Sequence, residues 1–361
     1  MRLVADSGLW STGQQAAHSQ LTAVLEVSGA VLSWTVDDPS TAAQITFTDP
    51  GRADWLWQVL GAPGHTAVAA ALDEHTLDKA VELSGVDVLP GSLDRLRRLA
   101  LGHWLRRWWP ASRRDGIAAL DGVLLDAEIA VLTAAAQDFF TDDTFDSDVA
   151  GLLRPHAAAL SAHLRGGDQR VIELVQTCVD LADDVGVAVV GSDFTSQRRD
   201  DYALAAGSDA GLGGSGAIAT GSDSVKWGAV PPGIFDAAEN TVDWRVEAVD
   251  GFAKAVVRVE LSGLGLASGI AVRLRSGALG GEGVLDADGA AAFPLVDGQQ
   301  QAVTESAAWD HDWRPTAVTI GADADERPDI RQRIREFARA RLREPAGDAF
   351  LAEVLAAESD Y

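Results

Sequence analysis

The sequence predicts a modular α+β chain: a small N-terminal antiparallel sheet with a helical bundle, then an antiparallel β-sandwich of immunoglobulin-like architecture with terminal helices. Three observations predict it. A glycine- and serine-rich stretch over residues 205–233 separates two unlike halves. Before it, apolar side chains recur every three or four residues, the period of a helix; after it they alternate, the period of a strand. At 361 residues, the chain also exceeds the length over which one core keeps growing.

Residues 1–60 read as the β-rich region. Segments 21–27 and 30–36 flank Ser28-Gly29, a tight hairpin turn, and segment 44–48 alternates before Asp49-Pro50-Gly51 turns the chain. Residues 61–204 read as the bundle. An alanine-rich helix is predicted up to residue 83. The next has Ser92 as its N-cap and Leu93, Leu96, Ala100, Trp104 and Trp108 along one face, and Pro110 stops it. Asp121 caps a helix reaching residue 140, Pro155 opens another that Gly166-Gly167 ends, and Asp168 caps a third. That last helix carries Val171, Leu174, Val175, Cys178 and Leu181 on one face.

Residues 205–233 read as a flexible linker. Residues 234–322 read as the sandwich, with strands at 241–249, 254–262, 270–276, 281–285 and 290–295, continuing through 301–307 and 316–322. Turns containing Asp250-Gly251, Asp288-Gly289 and Asp297-Gly298 punctuate them, a spacing expected of two stacked sheets. Residues 323–361 read as C-terminal helices: an arginine-rich one over 328–343 and a short apolar one near 350–355.

Composition narrows the function classes. The formal charge of −25, from 54 acidic against 29 basic residues, repels phosphate backbones and argues against nucleic-acid binding. Cys178 is the only cysteine, so no intrachain disulfide forms and a reducing compartment is expected. No apolar run approaches the roughly 20 residues that span a bilayer. The first residues lack the basic-then-apolar pattern of a secretory signal, so a cytoplasmic location is expected. Basic residues are almost all arginine, with only Lys79, Lys226 and Lys254 as lysines, a usage that fits a GC-rich bacterial genome.

Motifs for chemistry are scarce. GLGGSG, residues 211–216, matches a dinucleotide fingerprint in letters, but its flanks are more glycine, serine and threonine rather than a strand and a helix. No phosphate loop of the GxxxxGK[ST] type exists. DDTFDSD, residues 142–148, lacks the glycine and terminal glutamate of a calcium loop and reads as an acidic connection. His156 and His163, seven apart, fit one helix face but need carboxylates from elsewhere to hold a metal. Cys178 lies on an apolar stripe, where an inert buried thiol is expected. In WDHDWRP, residues 309–315, Asp310, His311 and Asp312 offer a metal site or an Asp–His base between two tryptophans. Extended backbone would turn the two acids away from the imidazole. No cofactor and no metal is assigned from these patterns.

Two basic features interrupt the acidic background. One runs from Arg95 to Arg114, where Arg106 and Arg107 precede Trp108 and Trp109; tryptophan and arginine are the residue types typical of binding hot spots. The other is the late helix, where Arg327, Arg331, Arg335, Arg339 and Arg343 recur every four residues beside Ile330, Ile334 and Phe337. That stripe either meets the protein's own acids or receives an acidic partner. The expectation is therefore a non-enzymatic adaptor or structural subunit of a bacterial cytoplasmic multi-protein assembly, contacting other proteins or further copies of itself. The alternative is a metal-dependent enzyme or small-ligand sensor at Asp310, His311 and Asp312 or in a cleft between the halves.

Overall fold

The structure is a computed structural model that describes residues 1–6, 8–13, 19–74, 80–137, 139–140, 146–165, 167–188, 216–263 and 265–359. It mixes helices with antiparallel sheets, an α+β chain. Two units divide it. The first comprises Met1–Trp109, Leu120–Gly191 and Pro328–Tyr361; the second comprises Pro110–Ala119 and Ser192–Arg327.

In the first unit, six strands form one antiparallel sheet: β1 (Arg2–Asp6), β2 (Leu9–Ser11), β3 (Thr22–Val27), β4 (Ala30–Thr35), β5 (Gln44–Phe47) and β6 (Val81–Glu82). Their order is β3-β4-β5-β2-β1-β6. Alternation sets the register: Ala23, Leu25 and Val27 of β3 are buried while Val24 and Glu26 are exposed. Val27 pairs with Ala30, which leaves Ser28-Gly29 as the two-residue turn that the sequence predicts. β6 lies in the stretch read as helix up to residue 83. The helix α1 (Leu56–Glu74) ends earlier, and Leu3 and Arg2 take Val81 and Glu82 into the sheet.

Five further helices follow: α2 (Asp94–Trp108), α3 (Gly122–Gln137), α4 (Asp146–Leu153), α5 (Ala157–His163) and α6 (Gln169–Asp184). Ser92 does not cap α2. Its hydroxyl donates to the Leu89 carbonyl at 2.7 Å instead, and Leu93 occupies the cap. Asp121 and Asp168 do cap, accepting from Val123 N at 2.9 Å and Arg170 N at 2.9 Å.

α3 is apolar nearly all round, so it needs cover on several sides. It receives that cover from α2, α4 and α6, and from the C-terminal helix α9 (Leu351–Ser359), which enters this unit with α8 (Pro328–Arg343). Small residues make the approach close. A Cβ added at Gly102 of α2 would stand 2.7 Å from Phe350 Cζ and 2.8 Å from Ile129 Cγ1. Cys178 of α6 is fully buried, donates to the Ala127 carbonyl at 3.4 Å, and has its thiol pushed up to about 12 by burial and by Glu128.

The second unit holds two antiparallel sheets. One has the order β12-β9-β8-β7 and the other β11-β10-β13. The strands are β7 (Ala217–Asp223), β8 (Val242–Val249), β9 (Phe252–Val259), β10 (Ala271–Ser276), β11 (Leu279–Val284), β12 (Ala290–Pro294) and β13 (Ala317–Ile320). Val246, Val257, Leu274, Phe293 and Ile320 from both sheets share one apolar core.

Two expectations change here. The stretch 205–233 was expected as linker, yet from Gly216 onward it carries the edge strand β7; residues 205–215 lie outside the described residues. Gly221 belongs in β7 because the Trp244 ring lies over it, with Cζ2 only 2.4 Å from where a Cβ would stand. Segment 301–307 was expected as strand, but Thr304 caps the short helix α7 (Glu305–Trp309), its hydroxyl accepting from Ala307 N at 3.3 Å.

Residues 110–119 are tied into this unit by Arg114, which donates to the Glu239 and Asn240 carbonyls, and by one buried carboxylate. Asp236 accepts from Ser112 Oγ at 2.6 Å, Arg113 N at 2.8 Å and Ala238 N at 2.9 Å.

Two glycines offer a controlled comparison. Gly102→Ala should lose about 1–3 kcal/mol in urea denaturation, because overpacking against Phe350 and Ile129 outweighs better helix propensity. Gly151→Ala in α4, where a Cβ meets nothing within 4 Å, should instead gain about 0.5–1 kcal/mol.

Candidate functional site

The first unit carries an open cleft of about 960 Å³ bordered by α2, α3, α8 and the chain just after β4. Helical spacing builds it. Arg98 and Leu101 come from α2 at i and i+3, and Leu132 and Ala135 from α3 at the same spacing. From α8 come Phe337, Ala340 and Arg341, at i, i+3 and i+4, with Glu344 just past its end. Trp104 of α2 meets Phe337 edge-on, with centroids 5.4 Å apart and planes at 90°, and this contact fixes α8 against α2. The floor is apolar, from Leu101, Leu132 and Phe337; charged side chains stand around it.

One end wall is an ion network. Arg341 donates to both oxygens of Glu353, at 2.7 Å on Oε2, and to Asp348 at 2.9 Å. Glu353 is fully buried and also accepts from Phe350 N at 2.9 Å. Burial disfavours the Arg341 charge, but the hydrogen bonds and charges of Glu353 and Asp348 outweigh it and hold its pKa above the ordinary value. Arg98 pairs with Glu128 and donates to the Asp348 and Ala349 carbonyls at 3.2 and 3.0 Å. Its guanidinium stacks over Phe350 at 5.1 Å. Burial raises the Glu128 carboxyl above its usual range, although Leu351 N and Arg98 act against that.

None of the seven residues expected to bind a partner lines this cleft. Arg106 is exposed and reaches Asp126 at 2.9 Å. Arg107 stacks on Trp108 at 4.4 Å, and Trp108 and Trp109 are half-buried. On α8, Arg331 and Arg335 are buried, at 7% and 4% exposure, which removes them from the surface stripe expected there; Arg339 is half-buried. The cleft uses another face of α8. The signal for it in the sequence is the Phe337, Ala340, Arg341, Glu344 spacing rather than arginine recurrence.

The alternative site is dispersed. Asp310 follows the last turn of α7, its N–H donating to Ser306 O at 3.1 Å. Asp312 pairs with Arg314 at 2.8 Å, and that hydrogen bonding lowers its pKa. His311 turns elsewhere, with Nε2 3.0 Å from the buried Ser276 hydroxyl and its ring 4.6 Å from that of Trp313. Among the described residues, no group of three or more His, Cys, Asp or Glu is arranged to hold a metal ion. Residues 142–145 of the acidic stretch and 211–215 of GLGGSG lie outside the described residues.

A cluster that spacing alone pointed toward sits on α3. Asp126, 5% exposed, receives His156 Nε2 at 2.9 Å beside Arg106, while His163 lies 3.6 Å from Asp121. Each histidine thus finds its own aspartate, so the pair bolts residues 156–163 to α3 rather than converging on a point. Next to them, His103 has its pKa lowered by burial first and by Arg106 second, with Asp126 and Asp148 opposing.

No protein-family model, no curated protein and no solved structure matches the chain.

The depressed His103 has a sign that can be checked. A folded-state pKa below the ordinary 6.5 contributes stability above that value, lost as pH falls toward the folded one. Between about pH 7 and pH 5, the thermal midpoint of the wild type should fall more than that of His103→Gln.

Proposed function

We propose that the protein is a non-enzymatic adaptor or structural subunit of a cytoplasmic multi-protein assembly, working through contacts with other proteins. The observation that carries this reading is the cleft of the first unit. It is open, apolar at its floor and charged at its rim, and it is bordered by three helices, the form in which grooves receive segments of partner chains. We read the second unit as a β-sandwich of immunoglobulin-like architecture, supported by its sheets of four and three antiparallel strands around one core. Net charge of −25 favours protein partners over nucleic acid, and the single buried cysteine suits a reducing compartment. No described helix is long and apolar enough to cross a membrane. The rival reading, a metal-dependent enzyme or sensor at Asp310, His311 and Asp312, would need both acids to turn from Arg314 and the α7 end toward His311.

The test uses full-length protein with a photo-crosslinker at Ala135, beside the cleft, in lysate of the native host. A defined partner cross-linked to wild type and lost from Ala340→Trp, which fills the cleft without lowering the thermal midpoint, supports the reading. A protein that stays solitary and monomeric by light scattering, with no cross-link, sinks it.

A further inference from the structure

The two sheets of the second unit leave one strand edge unused. On one side they are joined by main chain: Gly280 of β11 and Val296, just after β12, exchange two hydrogen bonds at 2.9 and 2.8 Å. On the other side a side chain spans the gap, Asp223 at the end of β7 accepting from Val318 N of β13 at 3.0 Å. β7 pairs with β8 and, among the described residues, with no other strand.

The ladder decides which groups of β7 stay free. Glu260 N donates to Thr241 O, while Val259 N donates away from β8, to Gly289 O at 2.8 Å. Alternation along an antiparallel pair then turns the main chain of Val242 and Trp244 toward β7, where their partners are Asp223 and Gly221. Thr220 and Ser222 therefore direct their N–H and C=O groups outward, and both residues are exposed. Among the described residues these groups have no hydrogen-bond partner. Edge strands are commonly blunted by lysine, proline or a bulge. β7 has no lysine and no proline, and its bulge, between Ala217 and Ala219, lies before Thr220.

The free edge is also complementary to itself. About a two-fold axis at Gly221, Thr220 of one copy lies opposite Ser222 of the other, and each such pair exchanges two main-chain hydrogen bonds. Threonine opposite serine is a favourable cross-strand pair. Two glycines meet at the axis, and the space a Cβ would take there is filled by Trp244 of the same chain. Asp223 falls opposite Ala219, so no two acids face each other in spite of the charge of −25. Behind the seam Arg245 stands beside Thr220 and Asp243 beside Ser222, so each row across it carries an arginine of one copy and an aspartate of the other.

We infer that β7 is a self-association edge: two copies of this chain join their four-stranded sheets, antiparallel, through Thr220 and Ser222. The inference is independent of the cleft in the first unit and names a second copy of the chain as the occupant of the edge.

Sedimentation equilibrium of the full-length chain, from about 10 μM to 1 mM, should show a monomer–dimer equilibrium, in the weak range suited to so short a seam. Ser222→Pro removes an outward N–H and no bond to β8, so it should weaken the dimer at least about tenfold. Cysteines decide the matter if that variant lowers the thermal midpoint. In a hydrogen-bonded antiparallel pair the Cα atoms stand about 5.5 Å apart, within reach of a disulfide, and Cys178 is buried. Thr220→Cys mixed with Ser222→Cys should form a disulfide dimer on mild oxidation faster than either variant alone. A chain that stays monomeric to the highest concentration overturns the inference. So does a dimer indifferent to a folded Ser222→Pro, one cross-linked no faster in the mixture, or one lost on Ala340→Trp, which would put the contact in the cleft.

Discussion

The first unit depends on a buried ion pair near the end of the chain. Arg341 and Glu353 are 7% and 0% exposed, and each is held by further hydrogen bonds: Arg341 to Asp348, Glu353 from the Phe350 amide. Two ions taken out of water repay their desolvation only when every remaining donor and acceptor is engaged, and removal of one partner costs about 3–5 kcal/mol. Here each nitrogen of Arg341 and both oxygens of Glu353 have a hydrogen-bond partner, and this has a geometric result. The chain between α8 and α9 is pinned, Phe350 is driven into the space left by Gly102, and Arg98 closes over its ring. The end wall of the cleft is therefore rigid because it is also a fold-determining joint.

α3 explains why charge gathers at its margins. A helix covered by α2, α4, α6 and α9 has almost no face left for water. Its polar residues must find partners within the protein. Asp126 takes Arg106 and His156, Glu128 takes Arg98 and the Leu351 amide, and the Thr133 hydroxyl donates to the Ile129 carbonyl at 2.8 Å. Two arginines of the run from residue 95 to 114, Arg98 and Arg106, are paired by these acids.

Local patterns were legible in the sequence; their partners in space were not. The hairpin at Ser28-Gly29, the stop at Pro110, the caps at Asp121 and Asp168 and the extent of α8 each follow from chemistry within a few residues. β1 and β2 were not distinguished because each is short and gains its meaning from pairing with β6 and β5. β7 was hidden by glycine and serine, since composition cannot register that Trp244 covers Gly221. The arginine- and tryptophan-rich run from residue 95 to 114 read as one feature, yet its first part belongs to α2 and residues 110–119 to the other unit, where Asp236 holds them. The cleft was missed for the same reason. Arginine recurrence on α8 was visible, but which face turned toward α2 was decided by Phe337 meeting Trp104.

The order in which the first unit's parts occur along the chain bears on how it is made. Arg98 bonds a carbonyl 250 residues further on, and all of the second unit beyond residue 191 is translated between them. At ribosomal speeds of about 5–20 residues per second, α2 and α3 emerge on the order of 10–50 s before Phe350 and Glu353 can cover them. During that interval Leu99, Gly102 and Ile129 present an uncovered oily seam, a natural client surface for nascent-chain chaperones. The protein's birth, more than its finished state, is where its aggregation hazard concentrates.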